Sequence, residues 1–335
     1  MKKTVCLILI AVLSALLCGC SGENAKSDRR YMVSSLGFST EGALINVFAE
    51  IIIVNSEDPE SSPETKLFSA AAQSISGALD KIGSSLEKPM LLNHCAVIAI
   101  GEKMTPYWFS EICDYCFNEN RITMSAYMIS VEDPYELLSE KSPSSAAKGY
   151  DIMGMIEQQS ERTGLSYSSR YFEVEAVRES GKKTFTLPHF VISESGTSVD
   201  GLSVFREDRL IANLNNEDSG CYAVITGEFK KGTLRFGAEE YHLRSRKVDY
   251  LYSDGNENKI VLRLRLSGDG FDGTACERLE KNLESLYERL KSETGKDAFG
   301  FYDILSVKYS EFEDKYQSGY DEFFGSADFV AECKS

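Results

Sequence analysis

The stretch from Arg246 to Leu290 leaves little freedom in how it can fold. Placing Asn256 at the centre of a hairpin loop sets Ile260, Leu262, Leu264 and Leu266 opposite Tyr252, Tyr250, Val248 and Arg246, with Arg263 opposite Asp249 on the other face. One face is then oily and the other charged. A slip of one residue would turn the oily set to water, so the pattern specifies its own register. Thr274 and Glu277 form a capping box, after which Cys276, Leu279, Leu283, Leu286, Tyr287 and Leu290 recur at helical spacing up to a stop at Gly295. This helix is expected to cover the hairpin's oily face. At the end of the chain, Phe329, Ala331 and Cys333 alternate with Asp328, Val330, Glu332 and Lys334, which predicts a strand with one buried face.

The other end of the sequence is not fold material. Lys2 and Lys3 precede an uncharged apolar run from Val5 to Leu17, which as a helix would span about 20 Å of a hydrocarbon core about 30 Å thick. A basic start, a short apolar middle and small residues before a break form the pattern of an export signal. Leu17, Cys18, Gly19, Cys20 resembles the bacterial lipobox, with Leu three residues before the modified Cys and Gly just before it. Cys20 fits as the lipid-attachment residue. Modification at Cys18 would put Leu17 where the peptidase needs a small side chain. The polar SGENAKSDRR that follows suits a tether, and two palmitate-type chains anchor stably where one is marginal.

Beyond residue 19 the composition is ordinary globular material. Of the 36 basic residues two lie in the leader, and none of the 52 acidic ones does, so the remainder sets 34 against 52 for a net charge of −18. That excludes nucleic acid, which is bound by neutralising phosphates, and argues against a polybasic membrane patch. No later stretch holds 18 consecutive apolar residues, so the lipid is the expected membrane contact. Cys95, Cys113, Cys116, Cys221, Cys276 and Cys333 read mainly as small buried hydrophobes, with a disulfide as the other reading for an exported chain.

Along the chain, strands are expected from Tyr31 to Ser39 and from Ala43 to Val54 around the turn STEG. A helix follows, capped by Ser62 with Pro63 in its first turn and Phe68, Ala71, Ala72, Ile75, Leu79 and Ile82 at helical spacing. Then come the strand HCAVIAIGE, a helix from about Thr105 to Phe117, the strand ITMSAYMIS and a helix capped by Asp133 with Glu136 three positions on. A helix over roughly Ala146 to Arg162 and the strand TFTLPHFVI close this unit near Ser193 to Ser198. GLSVFREDRLIANL reads as two extended pieces around Glu207 and Asp208, and NEDSGCYAVITGEFKKGTLRF as a short helix and a returning strand.

The fold class expected is α+β, with two or three mixed α/β domains, each a mostly antiparallel or mixed sheet covered by helices. The divisions are 1–19 signal peptide, 20–30 tether, 31–195 N-terminal α/β domain, 196–237 small middle α/β domain, and 238–335 C-terminal α/β domain with hairpin, long helix and closing strand.

Four stretches together resemble one family. They are the lipobox at Cys20 with Asp28 and Arg29 after it; His94, Val97, Ile98, Ile100, Gly101 and Glu102; Val204, Phe205, Asp208, Leu210 and Leu214, followed by Gly227, Lys231 and Gly232; and Asp297, Phe299 and Gly300 in KDAFGFYDIL. Their order and spacing are similar to the Ger(x)C lipoproteins, the C subunits of the nutrient germinant receptors of spore-forming bacteria. Three positions depart from the pattern: SGENAKS without Trp follows Cys20, Ala212 stands where Gly is usual, and Tyr320 stands where Trp is expected ahead of Phe324.

The resemblance implies a lipid-anchored subunit on the extracytoplasmic face of the cell membrane, in the spore inner membrane, working beside two integral membrane subunits of A type and B type. It implies no catalysis and no cofactor, and it places the closing strand beside the hairpin of Asp249 and Arg263. A solute-binding lipoprotein of an importer is the alternative; such proteins usually carry two similar lobes, and no repeat is present.

No catalytic or metal constellation stands out. Cys113 and Cys116 form a CxxC, but zinc needs about four ligands, and Phe109, Ile112, Cys113, Cys116 and Phe117 make one apolar helical face. His94, His189 and His242 have no nucleophile at a recognisable spacing, and SGDGFDG lacks the ligand spacing of a calcium loop. Arg244, Arg246, Lys247, Arg263 and Arg265 concentrate positive charge on the hairpin of an acidic chain. Such clusters are commonly solvated or neutralised by carboxylates; the functional reading is a docking face for a partner loop or anionic lipid headgroups.

Overall fold

The computed structural model describes residues 30–53, 64–118, 122–142, 147–163, 165, 169–236, 239–254 and 257–335. The leader, Cys20, the tether up to residue 29, Val54, the Ser62 cap with Pro63, Ala146 and Asn256 lie outside them. Two mixed sheets carry the chain, and the class is α+β as expected.

The first sheet is built from β1 (Tyr31–Glu41), β2 (Leu44–Ile53), β3 (Glu64–Ala72), the two-residue β4 (Met90–Leu91), β5 (Val97–Gly101), β6 (Tyr127–Val131), β7 (Thr184–Ser193), β8 (Gly196–Arg206) and β9 (Arg209–Leu214). Its order is β3-β2-β1-β5-β6-β7-β8-β9, with β4 beside β1. β1, β5, β6 and β7 run parallel in the middle, and antiparallel hairpins finish both sides. Helices α1 (Ile75–Ser84), α2 (Pro106–Asn118), α3 (Pro134–Ser139), α4 (Lys148–Thr163), α5 (Tyr171–Glu179) and α6 (Asn216–Ile225) connect the strands or follow them.

The continuous apolar run at 95–100 follows from burial on both faces. Ile98 and Ile100 join α1, α2 and α5 in one core, whereas Val97 and Ala99 join α3, α4 and α6 in the other.

The second sheet has the order β10 (Lys231–Phe236), β11 (Glu239–Ser253), β12 (Lys259–Ser267), β13 (Asp328–Lys334). Helix α7 (Gly273–Thr294) lies under it, and α8 (Phe301–Lys308), α9 (Ser310–Tyr316) and α10 (Tyr320–Ser326) lead to β13. Ile260, Leu262 and Leu264 face Tyr252, Tyr250 and Val248, and Arg263 faces Asp249, in the expected register. Leu279, Leu283, Leu286 and Leu290 of α7 are buried with that oily face. β13 closes the sheet parallel to β12.

Several expectations are corrected. Residues 64–72 form a strand rather than a helical start: β2 carries the buried run Ile51 and Ile52, and β3 supplies its second hydrogen-bonding neighbour. The helix begins only at Ile75, capped by Ser74, whose Oγ accepts the Gly77 N–H at 3.1 Å. α7 is capped by Asp272, accepting from Ala275 at 3.0 Å, instead of by Thr274. β6 starts at Tyr127, five residues later than expected. A bulge between Ser245 and Lys247 sets Ser245, not Arg246, opposite Leu266.

Pairing also crosses the division expected at 195. β7 and β8 form one hairpin, with Ser193 opposite Gly196, so residues 196–214 extend the first sheet while 231–236 belong to the second. The turn residues around Glu194 read like a linker because a tight turn and a domain boundary use the same chemistry.

Candidate functional site

The charged face of the second sheet brings together the cations singled out on the hairpin and adds two more. Strand pairing aligns them in rows. Lys247 of β11 lies opposite Arg265 of β12, which lies opposite Lys334 of β13. Lys231 of β10 lies opposite Arg244 of β11. All five are exposed, and among the described residues none has a carboxylate within ion-pair distance. Arg246, on the bulge, donates through Nε to Ser267 Oγ at 2.9 Å. Lys231, His242, Arg244, Arg246 and Ser267 rim an open depression of about 510 Å³.

Arg263 behaves differently from its neighbours. Its Nε donates to Glu332 Oε2 at 2.7 Å, so it belongs to a neutralised row with Asp249 and Glu332. Asp249 is taken by the Lys308 ammonium, whose hydrogen bond holds that carboxyl below its ordinary value. Lys247 thus lies beside a carboxylate already engaged. Lys231 and Lys334 are not part of the cationic cluster read from the hairpin, because each joins the face only through long-range pairing. The alternation that puts Lys334 on the same face as Glu332 was the available signal.

Like charges directly opposite each other on adjacent strands, with Cβ atoms about 5 Å apart, destabilise a sheet. Lys247, Arg265 and Lys334 form such a row of three cations across three strands, exposed to water beside the row in which Asp249 and Glu332 are already engaged.

A second cleft, of about 570 Å³, lies between the end of β8 and the segment that carries α8 and the start of α10. Asp297 is fully buried there: Oδ1 accepts the Phe299 N–H at 3.1 Å, and Oδ2 accepts the Tyr302 N–H at 3.0 Å and the Tyr320 hydroxyl at 2.5 Å. Its carbonyl accepts Arg206 Nη1 at 3.0 Å, from the end of β8. This ties the end of β8 to the segment between α7 and α8 and to α10. Gly300 takes φ +70° just before α8.

Among the described residues the six cysteines are free thiols, five of them buried, and two of the three histidines are hydrogen-bonded while His94 is exposed. Cys113 and Cys116 are buried in the α2 core, and burial pushes both thiols up, as it pushes those of Cys95 and Cys221 to about 12. His189 Nε2 meets Glu102 Oε1 at 3.0 Å, and His242 Nδ1 meets Thr233 Oγ1 at 2.7 Å. No group of three or more metal-ligating side chains converges among the described residues.

Comparison with known proteins adds the family. Residues 25–192 match the model described as the spore germination protein N-terminal domain. Over 232 residues the chain is 22% identical to the spore germination protein GerQC of Bacillus cereus, covering 68% of this chain and 63% of that protein. The match therefore spans less than two thirds of the relative's length. Among solved structures, the crystal structure of the GerBC protein superposes with a TM-score of 0.55 at 13% identity, covering 89% of this chain and 95% of that one. At that identity the likeness is one of fold.

Proposed function

The chain belongs to the Ger(x)C family of spore germination proteins, and from that premise we propose that it is the lipid-anchored, extracytoplasmic C subunit of a nutrient germinant receptor complex. The observation that carries the proposal is the family match over residues 25–192, directly downstream of the lipobox cysteine. Cys20 is the acyl acceptor, and the spore inner membrane is the location. The chain works by assembly or signal coupling beside integral membrane subunits of A type and B type, without catalysis or a cofactor of its own. Among the described residues no helix is long and apolar enough to cross a membrane.

The rows Lys247, Arg265, Lys334 and Lys231, Arg244 are the face on which a partner supplies acidic side chains. The partner's carboxylates would relieve the cross-strand repulsion, so docking and sheet stability act in the same direction. The importer reading gains no support from a nine-stranded sheet beside an unlike four-stranded one.

Deleting the gene in its host tests the role: nutrient-triggered germination slows while germination forced by non-nutrient agents persists. Cys20→Ala tests the anchor, since it abolishes incorporation of radioactive fatty acid; undiminished label would refute the assignment. Paired reversal of Lys247 and Arg265 to Glu tests the face, with loss of receptor assembly expected in a variant that melts no lower than the parent. Reversing Arg263 would not serve, because it breaks the pair with Glu332.

A further inference from the structure

Three exposed apolar side chains converge at one end of the first sheet. Phe117, Met124 and Phe172 are 53%, 44% and 43% exposed and come from the last turn of α2, the turn before β6 and the start of α5. The Phe172 N–H donates to the Met124 carbonyl at 3.1 Å. Tyr171, next to Phe172, donates its hydroxyl to the Cys113 carbonyl at 2.8 Å, one turn before Phe117. The three elements are thus fastened together beneath the patch.

The described chain begins at this same end. β1, β5 and β6 are parallel neighbours, with Ser35 level with Val97 and Val97 level with Tyr127. Tyr31 lies four residues before Ser35, and Met124 three before Tyr127. Both therefore lie at the N-terminal ends of β1 and β6, strands two spacings or about 10 Å apart in the sheet. Nine residues separate Cys20 from Arg30, a stretch that reaches at most about 35 Å. Tyr107 and Tyr135, also exposed, sit at the opposite end where β5 and β6 finish, and each keeps a hydroxyl tip for water.

We infer that this end of the first sheet is the membrane-facing surface of the protein, with Phe117, Met124 and Phe172 entering the interfacial layer of the bilayer that carries the acyl chains. The inference rests on the lipid-anchoring reading of Cys20. An acyl anchor on a nine-residue tether fixes distance but not orientation, whereas apolar and aromatic side chains on the near end partition into the headgroup boundary and fix which face looks down. The occupant is lipid because the tether keeps this end within about 35 Å of the bilayer, and the patch lies at the end of the sheet where the described chain begins.

The test uses the lipidated full-length chain in phosphatidylcholine vesicles with brominated acyl chains. Trp108 is the only tryptophan in the sequence, is 7% exposed and sits in the first turn of α2, at the far end of that helix from Phe117. F117W and F172W each add one fluorophore at the patch. Both variants are expected to float with the vesicles and to show blue-shifted emission quenched by the brominated lipid beyond the parent chain. Flotation without added quenching in either variant would overturn the membrane-facing assignment and leave the patch to a protein partner. Failure of the parent chain itself to float would overturn the anchoring reading, and the inference with it.

Discussion

The backbone N–H of Lys148 donates to Oε1 of Glu50 at 2.6 Å, tying the first turn of α4 to the interior of β2. Gly149 donates to Oε2 at 3.0 Å, and the Ser34 and Ser35 hydroxyls donate to the same oxygen at 2.6 and 3.0 Å. The Glu50 side chain, on a residue 3% exposed, thus does for α4 what a capping residue does, where free N–H groups and the helix dipole favour negative charge. Glu50→Ala strands three donors, Ser34 keeping the Glu50 carbonyl at 3.2 Å, and is expected to cost about 3 kcal/mol of folding free energy or more, read from urea unfolding. Gly149→Ala is expected to destabilise as well, since a Cβ there would lie 2.5 Å from the Ser34 carbonyl oxygen.

Tyr320, where the family resemblance leads one to expect Trp, donates its hydroxyl to Oδ2 of buried Asp297. Tyr320→Phe keeps the ring among Tyr302, Phe312 and Phe324 but removes a hydrogen bond to a carboxylate. A loss of about 1.5 to 3 kcal/mol is expected. Calorimetry on the parent and the variant checks it, and an unchanged melting temperature would mean that Asp297 is held adequately by the Phe299 and Tyr302 N–H groups alone.

These two anchors show what a single sequence could and could not convey. The hairpin register and the stripe of α7 were legible because both are local periodicities, two residues for the strand and near 3.6 for the helix. The Asp297, Phe299, Gly300 stretch was legible as a resemblance, yet its reason, an acceptor site joining β8, α8 and α10, exists only after distant segments meet. Phe68, Ala71 and Ala72 satisfied a helical spacing by coincidence; the need of β2 for a second neighbour decided in favour of a strand. α5 was not singled out, since only Tyr171, Val174 and Glu175 of its nine residues are buried. The cationic face was half legible: alternation placed Lys247, Arg263 and Arg265 together, while the neutralising Glu332 and the added Lys334 and Lys231 depend on β13 and β10 pairing at long range.

The Glu102 carboxylate, at the end of β5, accepts from Asn213 Nδ2 at 2.9 Å and meets His189 at 3.0 Å. The hydrogen bond to His189 is the largest influence lowering its carboxyl below the ordinary value near 4.5. A carboxyl whose folded value is lowered contributes stability above its unfolded value and loses that contribution as pH falls through the folded one. Glu102→Gln should therefore cost about 1 kcal/mol at pH 7, with parent and variant converging in acid, below the ordinary carboxylate range. Denaturant midpoints measured from pH 7 down to pH 3 check this; a gap that stays constant with pH would mean the carboxylate charge is not what links β5, β7 and β9.

Removing residues 327–335 is expected to unfold or aggregate the region around the second sheet. β13 pairs with β12 from Asp328 to Lys334, and Phe329, 5% exposed, stacks on the Tyr287 ring at 4.7 Å. Its outer edge is closed as well: the Ala331 and Cys333 N–H groups donate to Glu284 and Glu280 of α7 at 3.1 and 2.6 Å. Truncation would strand those two carboxylates, bare the edge of β12 and open the core beside Tyr287. Burying one large apolar side chain is worth about 1.5 to 3 kcal/mol, against a total of about 5 to 15 for a domain, so losing Phe329 alone is a sizeable fraction. The milder double variant Glu280→Ala, Glu284→Ala keeps the strand but frees its outer N–H groups, and should raise aggregation more than it lowers the melting temperature, because an unprotected strand edge recruits other chains. Thermal melts with light scattering separate the two effects. A truncated chain with the parent's melting temperature and solubility would show that β13 contributes nothing to the second sheet.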